Sequence, residues 1–226
     1  VVVGEAEDLI ADLAADLERG NARPLYHAPE LPSLARTPLP ELSLINPRHY
    51  SAMAIQYSRG CPFNCEFCDI IEIYGRKPRT KSLAQVIAEL EQLHERKWRG
   101  SVFIVDDNFI GNKKKVKEML PGLAEWNLRR GRPFTFFTEA SVNLADDPDL
   151  LQLMKVAGFT RVFLGIETPV EASLKETQKF QNTRRNLLDS VRAIQRYGIE
   201  VMAGFIVGFD NDPEDVFDKQ VEFIPV

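Results

Sequence analysis

The sequence is short of cysteine, of long apolar runs and of charge of one sign. It has three cysteines in 226 residues, and its first residues do not read as a cleavable signal, so we expect a cytoplasmic protein whose thiols stay reduced. No segment approaches the roughly 18 consecutive apolar residues that a membrane span needs. The net charge is −5 with acidic and basic residues well mixed, which gives a nucleic-acid partner no general electrostatic support. We therefore expect no membrane span and no nucleic-acid partner.

The sequence also lacks an initiator methionine, so we expect a fragment of a longer protein. Its 44% hydrophobic content is sufficient for a large core. Residues 1–20 are predicted to form a short buried strand over Val1–Val3 and an acidic helix. Residues 21–50 contain six prolines and predict an extended linker whose aliphatic side chains pack along a surface. Residues 51–226 form the main predicted domain.

All three cysteines, Cys61, Cys65 and Cys68, lie in one stretch with the spacing C-x3-C-x2-C. The stretch follows an alternating apolar run over residues 52–57, which predicts a strand. Three neighbouring thiolates can hold three irons of a [4Fe–4S] cluster and leave the fourth iron open for a non-protein ligand. Two alternatives remain open: a zinc site completed by a histidine, of which His49 is nearest in sequence, and a disulfide with one free thiol. The spacing favours the cluster.

From residue 52 onward, short apolar runs alternate with amphipathic helical patterns. The predicted strands cover residues 52–57, 102–105, 134–138, 161–166 and 199–207. Each is followed by a predicted helix. Such alternation predicts an α/β fold with a parallel sheet and right-handed crossovers, built from five strand–helix units.

Local signals predict where the helices begin. Ser82–Gln85 and Thr168–Glu171 read as capping boxes, in which the first and fourth residues bind each other's backbone N–H groups. Asn112 and Asp147–Pro148 read as the starts of two further helices. Asp212–Pro213 reads as the start of the last one.

The cysteine spacing and its place after a strand resemble the radical S-adenosylmethionine (SAM) family. In that family the amino and carboxylate groups of SAM close the [4Fe–4S] cluster, and the residue before the third cysteine, here Phe67, lies against the adenine. The resemblance implies that Cys61, Cys65 and Cys68 hold the cluster. It also implies a partial (βα)6 TIM-like barrel, so one further strand–helix unit is expected beyond Val226.

Candidate SAM-binding residues lie at the ends of four predicted strands, where functional residues of parallel α/β folds gather. The set comprises Asp106, Asp107, Glu139, Glu167, Gly204, Ile206 and Gly208. By resemblance, Asp106 or Asp107 replaces the family's Gly-Gly-Glu stretch at the SAM ammonium, and Glu167 is similar to an acid that reaches the ribose or ammonium. Gly204–Gly208 matches a G-x-I-x-G pattern that lies along adenine. Taken singly, each acid could instead be a helix cap or a solvated side chain.

Five longer stretches narrow the resemblance to the cobalamin-binding subgroup of radical SAM proteins, which includes the hopanoid methylases. These stretches are residues 56–81, 106–115, 139–144, 163–168 and 202–210. In that subgroup a doubly wound cobalamin domain precedes the core, and residues 1–20 are expected to be its last strand and helix. The D-x-H-x-x-G sequence that sometimes ligates cobalt is absent, so the resemblance alone implies cobalamin.

The resemblance implies an enzyme that cleaves SAM reductively to a 5′-deoxyadenosyl radical and functionalises an unactivated C–H bond. With cobalamin, the expected reaction is C-methylation of a lipid-like or tetrapyrrole-like small molecule, with a reducing partner such as flavodoxin or ferredoxin. One alternative is a cobalamin-linked cyclase or other oxidation without methyl transfer. Another, from a different class, is a zinc-stabilised binding module without turnover.

Two basic groups flank the predicted site. Arg76–Lys81 follows the cysteines and could meet an anionic substrate or the carboxylate of SAM. Lys113–Lys115 lies in the first turn of a predicted helix, where the helix dipole disfavours positive charge. Solvated charge is the commoner role of such groups.

Overall fold

The computed structural model describes residues 1–224, in which helices cover a central parallel sheet. The strands are β1 (Val2–Val3), β2 (Tyr26–His27), β3 (Met53–Ile55), β4 (Ser58–Arg59), β5 (Arg79–Thr80), β6 (Gly100–Ile104), β7 (Phe134–Ala140), β8 (Phe159–Glu167) and β9 (Glu200–Phe205). The helices are α1 (Ile10–Glu18), α2 (Ile70–Tyr74), α3 (Leu83–Glu95), α4 (Lys113–Arg129), α5 (Pro148–Ala157), α6 (Glu171–Glu176), α7 (Leu187–Gln195) and α8 (Val216–Phe223). The last two residues of the predicted region 51–226 lie outside the described residues.

Five strands form the central sheet in the order β3-β6-β7-β8-β9, and every neighbouring pair is parallel. The spatial order of the strands follows their order in the chain. Each helical crossover carries the chain from the end of one strand to the start of its parallel neighbour. The predicted α/β fold with five strand–helix units is therefore confirmed. The loops after β3, β6, β7 and β8 meet at the edge where these strands end.

The core packs against the middle strands of this sheet. Phe136 of β7 and Leu164 of β8 are fully buried, as expected for strands of a parallel sheet that helices cover. The apolar faces predicted for α3, α4 and α5 are also buried, with Leu90, Leu120 and Leu150 fully enclosed. Burial of such aliphatic side chains contributes about 1.5–3 kcal/mol each.

Three predicted helix starts are confirmed. Ser82 and Gln85 form the predicted capping box at the start of α3. Asn112 caps α4 through its side-chain oxygen, and Asp147 caps α5 in the same way with Pro148 following it. These caps depend on contacts between residues three apart, which sequence alone specifies.

Two predicted helix starts are wrong. Thr168 Oγ1 accepts a hydrogen bond from the Val170 N–H within a turn, and α6 begins only at Glu171. Asp212 accepts hydrogen bonds from the N–H groups of Gly208 and Phe209, which precede it, and α8 begins later. In both places a small polar side chain satisfies backbone groups outside the helix.

The N-terminal region is more open than predicted. β1 pairs in parallel with β2, and the predicted buried strand at Val1–Val3 is exposed, because no second layer covers it within residues 1–224. Among the aliphatic side chains of residues 21–50, Leu34 is buried and Leu42 packs against the core. The exposed ones are Leu25, Leu31, Leu39 and Leu44. The predicted packing of this segment is therefore confirmed only in part.

Candidate functional site

The loop that carries the three cysteines (the cysteine loop) is closed at its base by two short strands. β4 and β5 pair antiparallel, with Arg59 opposite Arg79; we call this pair the neck. Gly60 has φ +98°, and a Cβ there would lie 2.8 Å from the Gly75 carbonyl oxygen. The Cys61 N–H donates to the same carbonyl at 3.2 Å. The neck therefore needs glycine where the two sides of the loop approach each other.

The three thiols are free and line one cavity of about 170 Å³. Asn108 Nδ2 donates to Cys61 Sγ at 3.7 Å, and Gln181 Nε2 donates to Cys65 Sγ at 3.4 Å. Burial raises the pKa of the Cys61 thiol. Three sulfur donors, two of which accept N–H hydrogen bonds, fit an iron–sulfur cluster held by Cys61, Cys65 and Cys68.

The two alternatives for the cysteines find no support in the described structure. The thiols form no disulfide. Within residues 1–224, no three His, Cys, Asp or Glu side chains, the three cysteines included, are grouped as ligands of one metal ion, whereas each cysteine of a [4Fe–4S] cluster binds a different iron. His49 Nε2 lies 3.3 Å from Asn46 Nδ2 and does not line the cavity.

Two carboxylates from neighbouring strand ends line the same cavity. Asp107 follows β6 and Glu139 lies near the end of β7. Burial raises the pKa of both, and the charge of Asp107 raises the pKa of Glu139 further. Asp107 Oδ2 is buried and has no hydrogen-bond partner among residues 1–224. Both carboxylates are therefore suited to a cationic ligand.

Glu167 reaches the cavity from the end of β8 in a strained conformation. Its φ is +65°, which a non-glycine residue rarely adopts, and its carbonyl accepts a hydrogen bond from the Ile206 N–H at 2.7 Å. Its Oε1 lies 2.5 Å from Lys179 Nζ, and both side chains are buried. Since strain of this kind concentrates at functional sites, the pair is a candidate for ligand binding.

The structure places Asp106 away from the cavity. This carboxylate is fully buried, and its two oxygens accept hydrogen bonds from Tyr57 N–H, Ser58 N–H and Ser58 Oγ at 2.6–2.8 Å. It does not line the cavity. Burial raises its pKa to about 7. Asp106 therefore holds the start of the cysteine loop, whereas Asp107 lines the cavity.

Phe67 lines the cavity, and its ring centroid lies 6.0 Å from that of Phe209. Among the described residues that line the cavity, none of the predicted fifth-strand residues Gly204, Ile206 and Gly208 occurs. Gly204 lies behind the cavity wall, since a Cβ there would lie 2.6 Å from the ring of Phe163. The fifth strand therefore supports the site through neighbouring side chains.

Sequence reasoning missed several residues that line the cavity. They are Phe63, Asn108, Ala140, Ser141, Phe163, Gly165, Lys179 and Gln181. Asn108 directly follows the predicted aspartates and could have been included with them. Lys179 and Gln181 lie in a polar segment after α6 that carries no motif, and only the tertiary fold brings them to the thiols.

A larger cleft of about 1070 Å³ lies beside the cysteine loop, between the end of β1, residues 27–31 and α2. None of the three cysteines lines it. We place the site at the smaller cavity because the thiols and the strand-end carboxylates meet there.

The fold and the site define a class of protein in which three thiols, spaced to hold an iron–sulfur cluster, lie at the strand ends of a parallel α/β sheet. Residues 55–224 match the Radical SAM superfamily, and the chain belongs to it. The predicted enzyme class and the partial-barrel fold are thereby confirmed. Membership implies SAM and a [4Fe–4S] cluster as cofactors.

The chain is 51% identical over 223 residues to an uncharacterized methyltransferase of Synechocystis sp., covering 99% of this chain and 42% of that protein. It is 42% identical over 223 residues to the hopanoid C-2 methylase of Rhodopseudomonas palustris, covering 98% and 42%. The structure of the cobalamin-dependent S-adenosylmethionine radical enzyme OxsB with aqua-cobalamin superposes with a TM-score of 0.77 at 19% identity, covering 97% of this chain and 35% of that one. This last likeness concerns the fold alone.

The chain thus spans 42% of the length of these two curated relatives.

Within the described residues, none of the helices combines the length and the apolar character that crossing a membrane requires.

Proposed function

We propose that the chain is the core of a cobalamin-dependent radical SAM enzyme that methylates an unactivated carbon of a lipid-like or tetrapyrrole-like small molecule. One observation carries the proposal: three free thiols share a cavity with the carboxylates of Asp107 and Glu139. The 42% identity to a hopanoid C-2 methylase over nearly the whole chain supports methylation as the reaction.

In this proposal Cys61, Cys65 and Cys68 hold the cluster. When bound, the cluster supplies the electron for the reductive cleavage of SAM. Asp107 and Glu139 bind the cationic groups of SAM, because two half-buried carboxylates next to each other are stabilised by positive charge. The protein contributes placement of the reacting groups and exclusion of water.

Lys179 offers an ammonium group to the carboxylate of SAM, and Glu167 holds that lysine in place. Phe67, whose ring lies 5.5 Å from Lys179 Nζ, provides an apolar surface for adenine. These roles explain why a buried ion pair at a strained position lies beside the thiols.

The remaining assignments rest on resemblance. We assign residues 1–20 to the end of a cobalamin-binding domain, residues 21–50 to a linker and residues 51–226 to the SAM core. The fold of OxsB, a cobalamin-bound enzyme, covers 97% of the chain, which supports cobalamin as the methyl carrier. A flavodoxin or ferredoxin in the cytoplasm, where thiols stay reduced, would supply electrons.

Anaerobic reconstitution followed by EPR of the reduced protein tests the proposal. We expect a [4Fe–4S]⁺ signal that changes when SAM is added, formation of 5′-deoxyadenosine, and transfer of an isotope-labelled SAM methyl group to a lipid or tetrapyrrole extract. Cys65→Ala should abolish all three without changing the far-UV circular dichroism, whereas Ser43→Ala, at an exposed position, should keep them. An iron-free, zinc-containing protein, or SAM cleavage by Cys65→Ala, would contradict the proposal.

A further inference from the structure

Four charged side chains meet beside the neck of the cysteine loop. Glu5 and Glu7 come from the N-terminal region, while Arg59 and Arg79 come from the two strands of the neck. Glu5 is 3% exposed and accepts hydrogen bonds from both arginines. Glu7 accepts one from Arg59 at 2.6 Å. We call these four side chains the Glu5 network.

The neck requires a negative charge at this point. Arg59 and Arg79 are directly opposite on an antiparallel pair, where like charges repel. Both are largely buried, and Arg79 also donates to the Pro32 carbonyl at 2.6 Å. Burial alone would raise the pKa of Glu5, but hydrogen bonds from Arg79 and Arg59 lower it below its ordinary value. Glu5 is therefore negatively charged at the point where the two arginines repel each other.

The local backbone brings Glu5 to the neck. Gly4 has φ +90°, and a Cβ there would lie 2.8 Å from the Ala28 carbonyl oxygen. A glycine thus allows the chain to turn inward directly before Glu5. At the other end of the contact, Arg59 precedes Cys61 by two residues.

We propose that Glu5 is a positioning residue for the cluster. Its carboxylate lies between Arg59 and Arg79 and, together with Glu7, balances their two positive charges, keeps the neck closed and so fixes where Cys61 lies. The N-terminal region then helps to shape the cluster site although it is remote in sequence. The inference rests on the proposed cluster site, but its first test needs no cluster.

Hydrogen exchange of the metal-free protein provides that test. In Glu5→Gln, we expect amides of residues 57–81 to exchange about tenfold faster, since an unneutralised arginine pair opens the neck locally. Exchange in β8 should be unchanged. Glu7→Gln is the matched control, because among the described residues Glu7 forms an ion pair with Arg59 but not with Arg79, and its effect should be less than half as large. Equal exchange in Glu5→Gln and wild type, or equal acceleration in β8, would overturn the proposal.

A double variant separates charge balance from a general loss of folding. Removing Arg79 together with Glu5, as Glu5→Gln/Arg79→Gln, leaves Arg59 paired with Glu7 and restores neutrality. We expect exchange of residues 57–81 to return toward the wild-type rate, even if the single variant is insoluble. A double variant as defective as the single one would show that charge neutralisation is not the role of Glu5.

The reconstituted protein gives a readout that a purely structural role would leave unchanged. An unbalanced positive charge at the neck, where Arg59 precedes Cys61 by two residues, favours the reduced form of the cluster, so the midpoint potential of Glu5→Gln should shift upward and that of the double variant should return. An unshifted potential in a cluster-loaded Glu5→Gln protein would count against the proposal. Failure of wild type to assemble any cluster would instead overturn the proposed function and leave the exchange result standing.

Discussion

Asp106 shows how an acidic residue at a strand end can serve the site without touching the ligand. It lies where a SAM-binding acid is expected, yet it is fully buried and binds the backbone of Tyr57 and Ser58. The side chain next to it, Asp107, faces the cavity instead. Successive side chains point in different directions, so Asp106 binds the backbone of the cysteine loop while its neighbour Asp107 lines the cavity.

The raised pKa of Asp106 predicts a pH dependence of stability. Its pKa is about 7 in the folded protein against an ordinary value of 3.8, so the folded state binds the proton more tightly. The stability that this proton contributes is complete below pH 3.8 and decreases as pH rises to about 7. As pH rises from about 5 to about 6.5, the free energy of unfolding of Asp106→Asn should increase relative to that of wild type by up to about 1.4 kcal/mol per pH unit. Urea unfolding at several pH values measures this difference. A difference independent of pH would contradict this.

Lys179→Met should destabilise the protein by about 3 kcal/mol, because it leaves the buried Glu167 carboxylate without its partner. The matched control is Lys175→Met, which breaks an exposed pair with Glu171 and should cost about 0.5 kcal/mol or less. Urea unfolding at neutral pH measures both. Similar losses in the two variants would show that the buried pair is not formed.

Among the secondary-structure elements, β9 supports the cavity indirectly through β8. Gly204→Ala would place a Cβ 2.6 Å from the ring of Phe163, and we expect the ring to move into the cavity. SAM affinity should fall about tenfold, corresponding to about 1.4 kcal/mol, as measured by equilibrium binding to the reconstituted protein. Adding Phe163→Leu should recover most of the loss. Unchanged affinity in Gly204→Ala would place SAM away from Phe163.

The elements also show what sequence can specify. Strands, helix faces and the caps of α3, α4 and α5 were predictable because they depend on short-range periodicity and on contacts three residues apart. The helix starts predicted at Thr168 and Asp212 were wrong because each side chain accepts a hydrogen bond from a backbone N–H group that lies outside the helix. The three cysteines were predictable from spacing, whereas Lys179 and the Glu5 network depend on tertiary contacts that no local pattern records.

For the whole molecule, the sheet order predicts a gradient of local stability. β7 has a strand on each side and buries Phe134 and Phe136, whereas β9 pairs with β8 alone within the described residues and is partly exposed. Amides of β7 should therefore exchange at least about tenfold more slowly than those of β9. Hydrogen exchange with mass spectrometry measures this. Equal protection would indicate that the outer edge of β9 is covered.

The Glu5 network bears on how proteins of this kind could exchange parts during evolution. The proline-rich segment between residues 20 and 51 is a linker at which recombination could replace one N-terminal unit by another. The core, however, keeps Arg59 and Arg79, and any incoming unit must bring an acid to the same place or leave two guanidinium groups without a counter-charge. Recombination at this linker is therefore restricted to N-terminal units that carry a matching acid. We expect residues 1–20 and the core to be inherited together.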